Sequence, residues 1–255
     1  MKRSNASKTW LLTAVTGLSV ATLANVQAQD AGAAPEPEAK PKWVSSAGVG
    51  LTITGGNSDT IMFTGDVKSE KKWNQHEIFL GADATYGEND GVKSTEVYHG
   101  FGQYNWLFPN DRTYGYFKVD ALKDDIADID YRFTFSPGIG HYLIKNDKTT
   151  LSVEAGPGYI LERVGGEEDD YMTLRLAERF EHKFSDKARM WQSMEIMPQV
   201  DDFDNYLINA EIGAEAALTT KLSIRSVLSG TYDNVPAPGR KEEDYKLITS
   251  LVYKF

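Results

Sequence analysis

From residue 43 to the end of the chain, apolar and polar residues alternate with period two, the signature of half-buried β-strands. The pattern is clearest in the last segment. Tyr245, Leu247, Thr249, Leu251, Tyr253 and Phe255 fall on one side of an extended chain, and Asp244, Lys246, Ser250 and Lys254 on the other, with Ile248 and Val252. Over 205–218, Tyr206, Ile208, Ala210, Ile212, Ala214, Ala216 and Leu218 alternate with Asn209, Glu211, Gly213 and Glu215. Over 130–142, Tyr131, Phe133, Phe135, Pro137 and Ile139 oppose Asp130, Arg132, Thr134, Ser136, Gly138 and Gly140. The same reading predicts twelve strands near 43–54, 60–71, 76–87, 93–106, 113–123, 129–144, 149–164, 171–183, 188–199, 205–218, 222–233 and 244–255. Alternation is weaker in the fourth, ninth and eleventh, so the count is fixed to within two. Several segments reach 11 residues or more, matching tilted strands that cross a bilayer in roughly 9–11 residues. The spacing leaves no room for crossover helices. The predicted fold is therefore all-β: an antiparallel transmembrane β-barrel of the outer-membrane type, about twelve strands, closed because lipid cannot satisfy an open sheet edge.

The connections sort by parity. With both termini inside, the inner turns are KKWNQ, FPNDR, KNDK, FSDK and TTK, all short. The outer ones are GGNSD (55–59), GENDGV (87–92), KDDIADID (123–130), GGEEDD (165–170), VDDFDN (200–205) and DNVPAPGRKEED (233–244), which carry most of the loop acids. Short inner turns and longer outer loops are the habit of bacterial barrels; a soluble periplasmic β-sandwich, the alternative all-β reading, has no reason to sort its loops this way. Trp43, Tyr86, Tyr131, Tyr206, Tyr245 and Phe255 stand toward strand ends, where interfacial aromatic girdles form. Pro137 and Pro157 interrupt strands, and the turn at 145–148 sets them nearly opposite, which predicts a paired bulge or kink. Gly48, Gly50, Gly81, Gly138, Gly140, Gly156 and Gly158 fall on the inward face, where they are expected to leave room.

The first residues change the picture of destination. Lys2, Arg3 and Lys8 precede an uncharged apolar run of 15 residues from Trp10 to Ala24, then small residues around Val26 to Ala28. The run is short of the roughly 20 residues of a spanning helix, so residues 1–28 read as an export signal cleaved after Ala28. Residues 29–42, rich in Ala, Pro and Glu, read as a disordered linker, and 43–255 as the barrel. Without the three signal cations, 24 Lys and Arg face 37 acids, a net charge near −13. That disfavours a nucleic-acid partner, which needs clustered cations. There is no cysteine, so neither disulfides nor thiolate metal ligands enter.

Candidate chemistry is sparse. The inward face carries Asp66, Lys68, Asp83, Arg132, Glu154, Arg175, Arg179, Glu211, Glu215, Arg225 and Lys246. Charges at membrane depth belong in a wet or paired interior. They either cross-pair into a filled lumen or line a narrow channel, and twelve strands lie between plugged eight-strand barrels and open porins. Asp124, Asp125 and Asp128, Glu167, Glu168, Asp169 and Asp170, and Asp201, Asp202 and Asp204 are expected around one mouth. As hard oxygen ligands they could take Ca²⁺ or Mg²⁺ bridging to lipopolysaccharide, or draw cations to a pore; the other reading is a solvated rim. The four histidines, His76, His99, His141 and His182, have no metal-site spacing. A barrel lipid hydrolase would need a serine beside its histidine, and only His99 is placed to be a base. A barrel protease of the Asp/His kind would need a histidine in the acidic outer loops, which have none. The residues therefore predict no enzyme.

Four segments carry a resemblance: GNSDT, DIDYRFTFSPGIGHYLI, LSVEAGPGYILER and PGRKEEDYKLITSLVYKF. Together, over roughly 43–255, they resemble the YdiY-like family of salt-induced outer membrane proteins, a domain of unknown function. The resemblance implies a barrel in the bacterial outer membrane among lipid and lipopolysaccharide. It also implies a terminal assembly signal, Leu247, Leu251, Tyr253 and Phe255, read by the Bam machinery. It implies no catalytic residue. The expected function is a small ion-permeable channel or an envelope-stabilising barrel associated with salt response.

Overall fold

The structure, a computed structural model, describes residues 42–55, 61–89 and 92–255. The expected export signal, nearly all of the linker and parts of the first two outer loops lie outside the described residues. Twelve antiparallel strands follow one another: β1 (Val44–Gly55), β2 (Ile61–Trp73), β3 (His76–Asn89), β4 (Val92–Leu107), β5 (Thr113–Asp124) and β6 (Ile129–Lys145). Then come β7 (Thr149–Val164), β8 (Glu167–Ser185), β9 (Ala188–Pro198), β10 (Tyr206–Ala217), β11 (Leu222–Asp233) and β12 (Glu243–Lys254). Each pairs with the next, and β12 returns to β1, with Ser46 opposite Lys254 and Gly55 opposite Tyr245, to close the barrel. The N–H of Ser45 and the carbonyl of Phe255 complete that seam at 3.4 Å.

The alternation that predicted the strands decides which way they face. Val49, Phe63, Val67, Leu80, Ile139, Leu174, Leu176, Ile212, Leu228, Leu247 and Leu251 all point outward and are exposed. In a soluble sandwich these side chains would be the core; here they form an outward apolar band of the kind a membrane-spanning barrel carries. Trp43, Trp73, Trp106, Phe184, Tyr253 and Phe255 border the band at the inner end, and Tyr86, Tyr98, Tyr159 and Tyr245 at the outer end. His76, His141 and His182 belong to the inner border, bonded to Tyr104, Thr113 and Thr149 at 2.8, 3.0 and 2.8 Å. The inner turns are closed by local side-chain acceptors, as short polar turn residues do. Asn110, Asn146 and Thr219 each accept from backbone N–H groups two and three residues on.

Three expectations change. The 165–170 loop is shorter than predicted: Gly165 and Gly166, at φ 60 and 82, make a tight turn, and Glu167–Asp170 continue β8 opposite Val164–Leu161. Two consecutive left-handed positions suit glycine alone. Pro137 and Pro157 do face each other, but without a bulge. The β6–β7 register is unchanged from Phe135↔Tyr159 to Ile139↔Ala155, and the ladder simply lapses between them. Nor do the inward glycines leave space. A Cβ on Gly140 would stand 2.2 Å from the Tyr114 ring, on Gly138 2.5 Å from the Tyr116 hydroxyl, and on Gly81 2.3 Å from Phe101. Aromatic rings lie over the glycines and fill the hollows.

Candidate functional site

The inward face divides into an outer mouth, a cross-linked middle and an open inner half. At the mouth Arg132 bonds Glu162 and, at 2.8 Å, Asp233. The Tyr171 hydroxyl donates to Glu162 at 3.1 Å. Arg132 is on β6 and Asp233 ends β11, so this bond ties distant strands together. The β11–β12 loop leans in beside it: Ala237 is buried, and Pro238 lies 3.1 Å from where a Cβ of Gly165 would be. Beneath the loop is a cavity of about 110 Å³ lined by Leu122, Asp124, Arg132, Arg240 and Lys246 among others.

In the middle, Lys118 of β5 reaches Glu195 of β9 at 3.0 Å and its own neighbour Asp120 at 3.1 Å. Arg175 holds Glu154 at 2.8 Å and Glu195 at 2.9 Å, its guanidinium 5.2 Å over the Tyr116 ring. Gln103 and Tyr114 also donate to Glu154, at 2.8 and 2.9 Å. His99 stands between Asp83, at 2.9 Å, and Asp120, at 3.2 Å. It has carboxylates on both nitrogens. Across the bore, Arg225 bonds Asp66 at 2.9 Å, and Glu215 receives Arg189 at 3.0 Å, Lys254 at 2.5 Å and Arg225 at 3.6 Å. Glu211 accepts the Trp191 indole N–H at 2.5 Å.

The inner half carries mostly cations at its water boundary, with Glu70 exposed among them. The side chains of Lys72, Arg179, Arg189 and Lys254 are 56, 52, 41 and 40 % exposed, and Lys68 is exposed as well. Their acid partners lie beneath: Glu215 is 3 % exposed and Glu77 8 %. The cationic heads therefore meet the lumen water.

The outer acids do not converge. Asp124 accepts from the N–H groups of Ile126 and Ala127, Asp170 from Tyr159, Asp201 from Gln199, and Asp202 from the N–H of Asp204. Glu167 to Asp170 are strand residues, and Asp128 sits at φ 60 in its turn. Among the described residues, no three of His, Asp and Glu lie close enough to hold a metal ion. Asp125 is clasped by Lys93 and, at 2.9 Å, by Lys123. Hydrogen bonds from Lys93 and then Lys123 hold its carboxyl down to about 2.

The sequence reading named one partner in many of these pairs and missed the other. Lys118, Asp120, Glu162, Glu181, Arg189, Glu195 and Asp233 were absent from it, although strand parity puts them on the same face as Arg132 and Arg175. Parity was the available signal.

Residues 47–255 match the model of a family described as "Protein of unknown function, DUF481". No curated protein sequence matches the chain. Among solved structures, the NanC porin is similar at a TM-score of 0.56 and 6 % identity, covering 82 % of this chain and 100 % of its own. The COG4313 outer membrane channel from Pseudomonas putida F1 superposes at a TM-score of 0.49 and 12 % identity, over 88 % of this chain and 99 % of its own. The KdgM porin gives 0.48 and 9 %, over 82 % and 99 %. The fold is that of outer-membrane porins and channels.

Proposed function

Because the chain belongs to the DUF481 family, whose function is unknown, the lumen itself has to indicate the role, and we propose a small ion-permeable channel of the bacterial outer membrane. The observation that carries this reading is the lumen's inner half, where Lys68, Lys72, Arg179, Arg189 and Lys254 present charged heads to water inside a closed barrel. Charged groups that stay wet at membrane depth mark ion pathways. The porin-type fold supports a channel role and gives no support to catalysis. A second reading, a non-conducting barrel that stabilises the envelope, is favoured by the bonds that span the bore, Lys118 to Glu195 and Arg132 to Asp233. The association with salt response rests on the family resemblance. So does assembly by the Bam machinery, through the outward Leu247, Leu251, Tyr253 and Phe255.

Conductance of the refolded barrel in a planar bilayer, at several salt concentrations, separates the two. Stable steps are expected. A silent bilayer, with insertion confirmed by protease protection, would exclude the channel and leave the structural role.

A further inference from the structure

The outward side chains of β8 run Met172, Leu174, Leu176, Glu178, Phe180, His182 and Phe184, so a carboxylate occupies the centre of a lipid-facing row. Glu178 is six residues from Met172, beside the outer tyrosines, and six from Phe184 in the inner border. That is the middle of the bilayer. On β9, Gln192 also points outward, with Met190, Met194 and Ile196, and donates its amide to Glu178. The direction is fixed by the residue between: Trp191 faces inward onto Glu211. Among the described residues no ion pair reaches Glu178, whereas Glu154, Glu162, Glu195 and Glu215 in the lumen each have a cation.

Other lipid-facing polar groups satisfy one another. Ser226 bonds Thr249 at 3.1 Å, and Ser45 bonds Ser69 at 2.7 Å. Glu178 and Gln192 cannot, because one amide-to-carboxylate bond leaves a second carboxylate oxygen and a second amide N–H over. In hydrocarbon each such group is costly to leave unbonded. The leftover acceptor and donor are complementary, and they sit at the same depth. The rung His141, Val153, Glu178, Met194, Ala210, Gly230, Tyr245 starts near the inner turns and ends in the outer border, so rungs climb outward from β6 to β12. Gln192, one outward position nearer the inner end than Met194, returns to the level of Glu178. A two-fold axis along the membrane normal, passing between them, sets each Glu178 against the Gln192 of a second copy. This is a self-complementary interface of the isologous kind. Beside the pair, β10 presents Ala210, Ile212, Ala214 and Ala216 outward, with Ile212 directly opposite Gln192, so the polar centre is flanked by an apolar row for the second copy to pack on.

We infer that the β8–β10 face docks a second copy of this chain, with Glu178 and Gln192 as the reciprocal hydrogen-bonded centre. The absence of cysteine makes the test direct. Met194→Cys places a thiol beside the axis, and Val67→Cys places one on β2, six strands from β8 on the far side of the barrel, also outward and exposed. Oxidation of outer membranes carrying the full chain is expected to give a disulfide dimer from Met194→Cys and none from Val67→Cys. Adding Glu178→Leu and Gln192→Leu is expected to lower the dimer fraction by about tenfold, with the heat-dependent gel shift of the folded barrel kept. Absence of the Met194→Cys dimer, equal dimer at both positions, no loss in the double leucine variant, or adducts to a different protein would each overturn the interface. Light scattering of the unaltered chain in mild detergent is an independent check: twice the barrel's mass supports it, and a monomer overturns it.

Discussion

Along β5 to β9 the inward face is a lattice of ion pairs, with Lys118, Arg175, Glu154 and Glu195 bridged to one another and to Tyr114 and Gln103. From β12 round to β3 the inward residues are short, Gly48, Gly50, Ser250 and Thr64 among them, and Lys68 and Glu70 end in water. Both walls solve the same problem, that charge inside a membrane needs a partner or water. The first wall supplies partners for nearly all its charges; the second pairs Asp66 with Arg225 and leaves Lys68 and Glu70 to water. Substitutions on the two walls therefore test the two solutions separately.

The largest expected effect breaks the lattice. Arg175→Ala strips the cation from Glu154 and leaves Glu195 with Lys118 alone, while the Arg175 side chain is 5 % exposed. Removing one partner of a buried ion pair costs about 3–5 kcal/mol, measurable by urea unfolding in micelles followed by tryptophan fluorescence. Single-channel conductance of the surviving barrel should rise. Arg225→Ala on the facing side should cost a similar amount, because Asp66 loses its cation although Glu215 keeps Arg189 and Lys254; a cost near zero would contradict the pairing. Gly140→Ala comes next. Its Cβ would fall 2.2 Å from Tyr114, and overpacking of this kind costs about 1–3 kcal/mol, read in the same unfolding assay.

Lys68→Glu on the open wall should leave stability within about 0.5 kcal/mol yet move the reversal potential toward cations. An unmoved potential would place the ion path elsewhere. The smallest effect concerns the outer clasp of Asp125. Its folded carboxyl is lowered from its ordinary 3.8 to about 2, so the clasp contributes fully above about pH 4 and is lost as pH falls through about 2. Pepsin should begin to cut the 123–128 loop across that interval, and Lys93→Ala should shift the onset to higher pH.

The strand ladder was legible because a barrel turns period two into a physical boundary between lipid and lumen, and no tertiary contact competes with it. β8 was misjudged at its start, since a Gly-Gly turn and a charged strand look like a loop in one dimension. The lumen was legible only in halves. Arg175 could be assigned inward from its neighbours, but Glu154 and Glu195 reach it from β7 and β9, and cross-strand register is not written in either segment alone. His99 likewise meets Asp83 and Asp120 across two different ladders. Glu178 was the opposite case: parity with Leu174 and Leu176 already set it facing lipid, against the expectation that a charged residue turns inward.

The two opposed prolines act as a registration mark. The β6–β7 ladder lapses only from Ser136 to Gly138, whereas Phe117↔Pro137 and Pro157↔Leu174 hold on the outer flanks, so both absent N–H groups belong to one rung. Any slip of β6 against β7 would spread the defect over two rungs. It would also move Gly156 away from the Pro137 carbonyl, where a Cβ would stand 2.1 Å from the oxygen, and a two-residue slip in one direction would bring Glu154 into that contact. A side-chain pattern repeating every two residues is blind to a two-residue shift. This rung is not, and it lets the longest hairpins of the barrel zip in a single alignment.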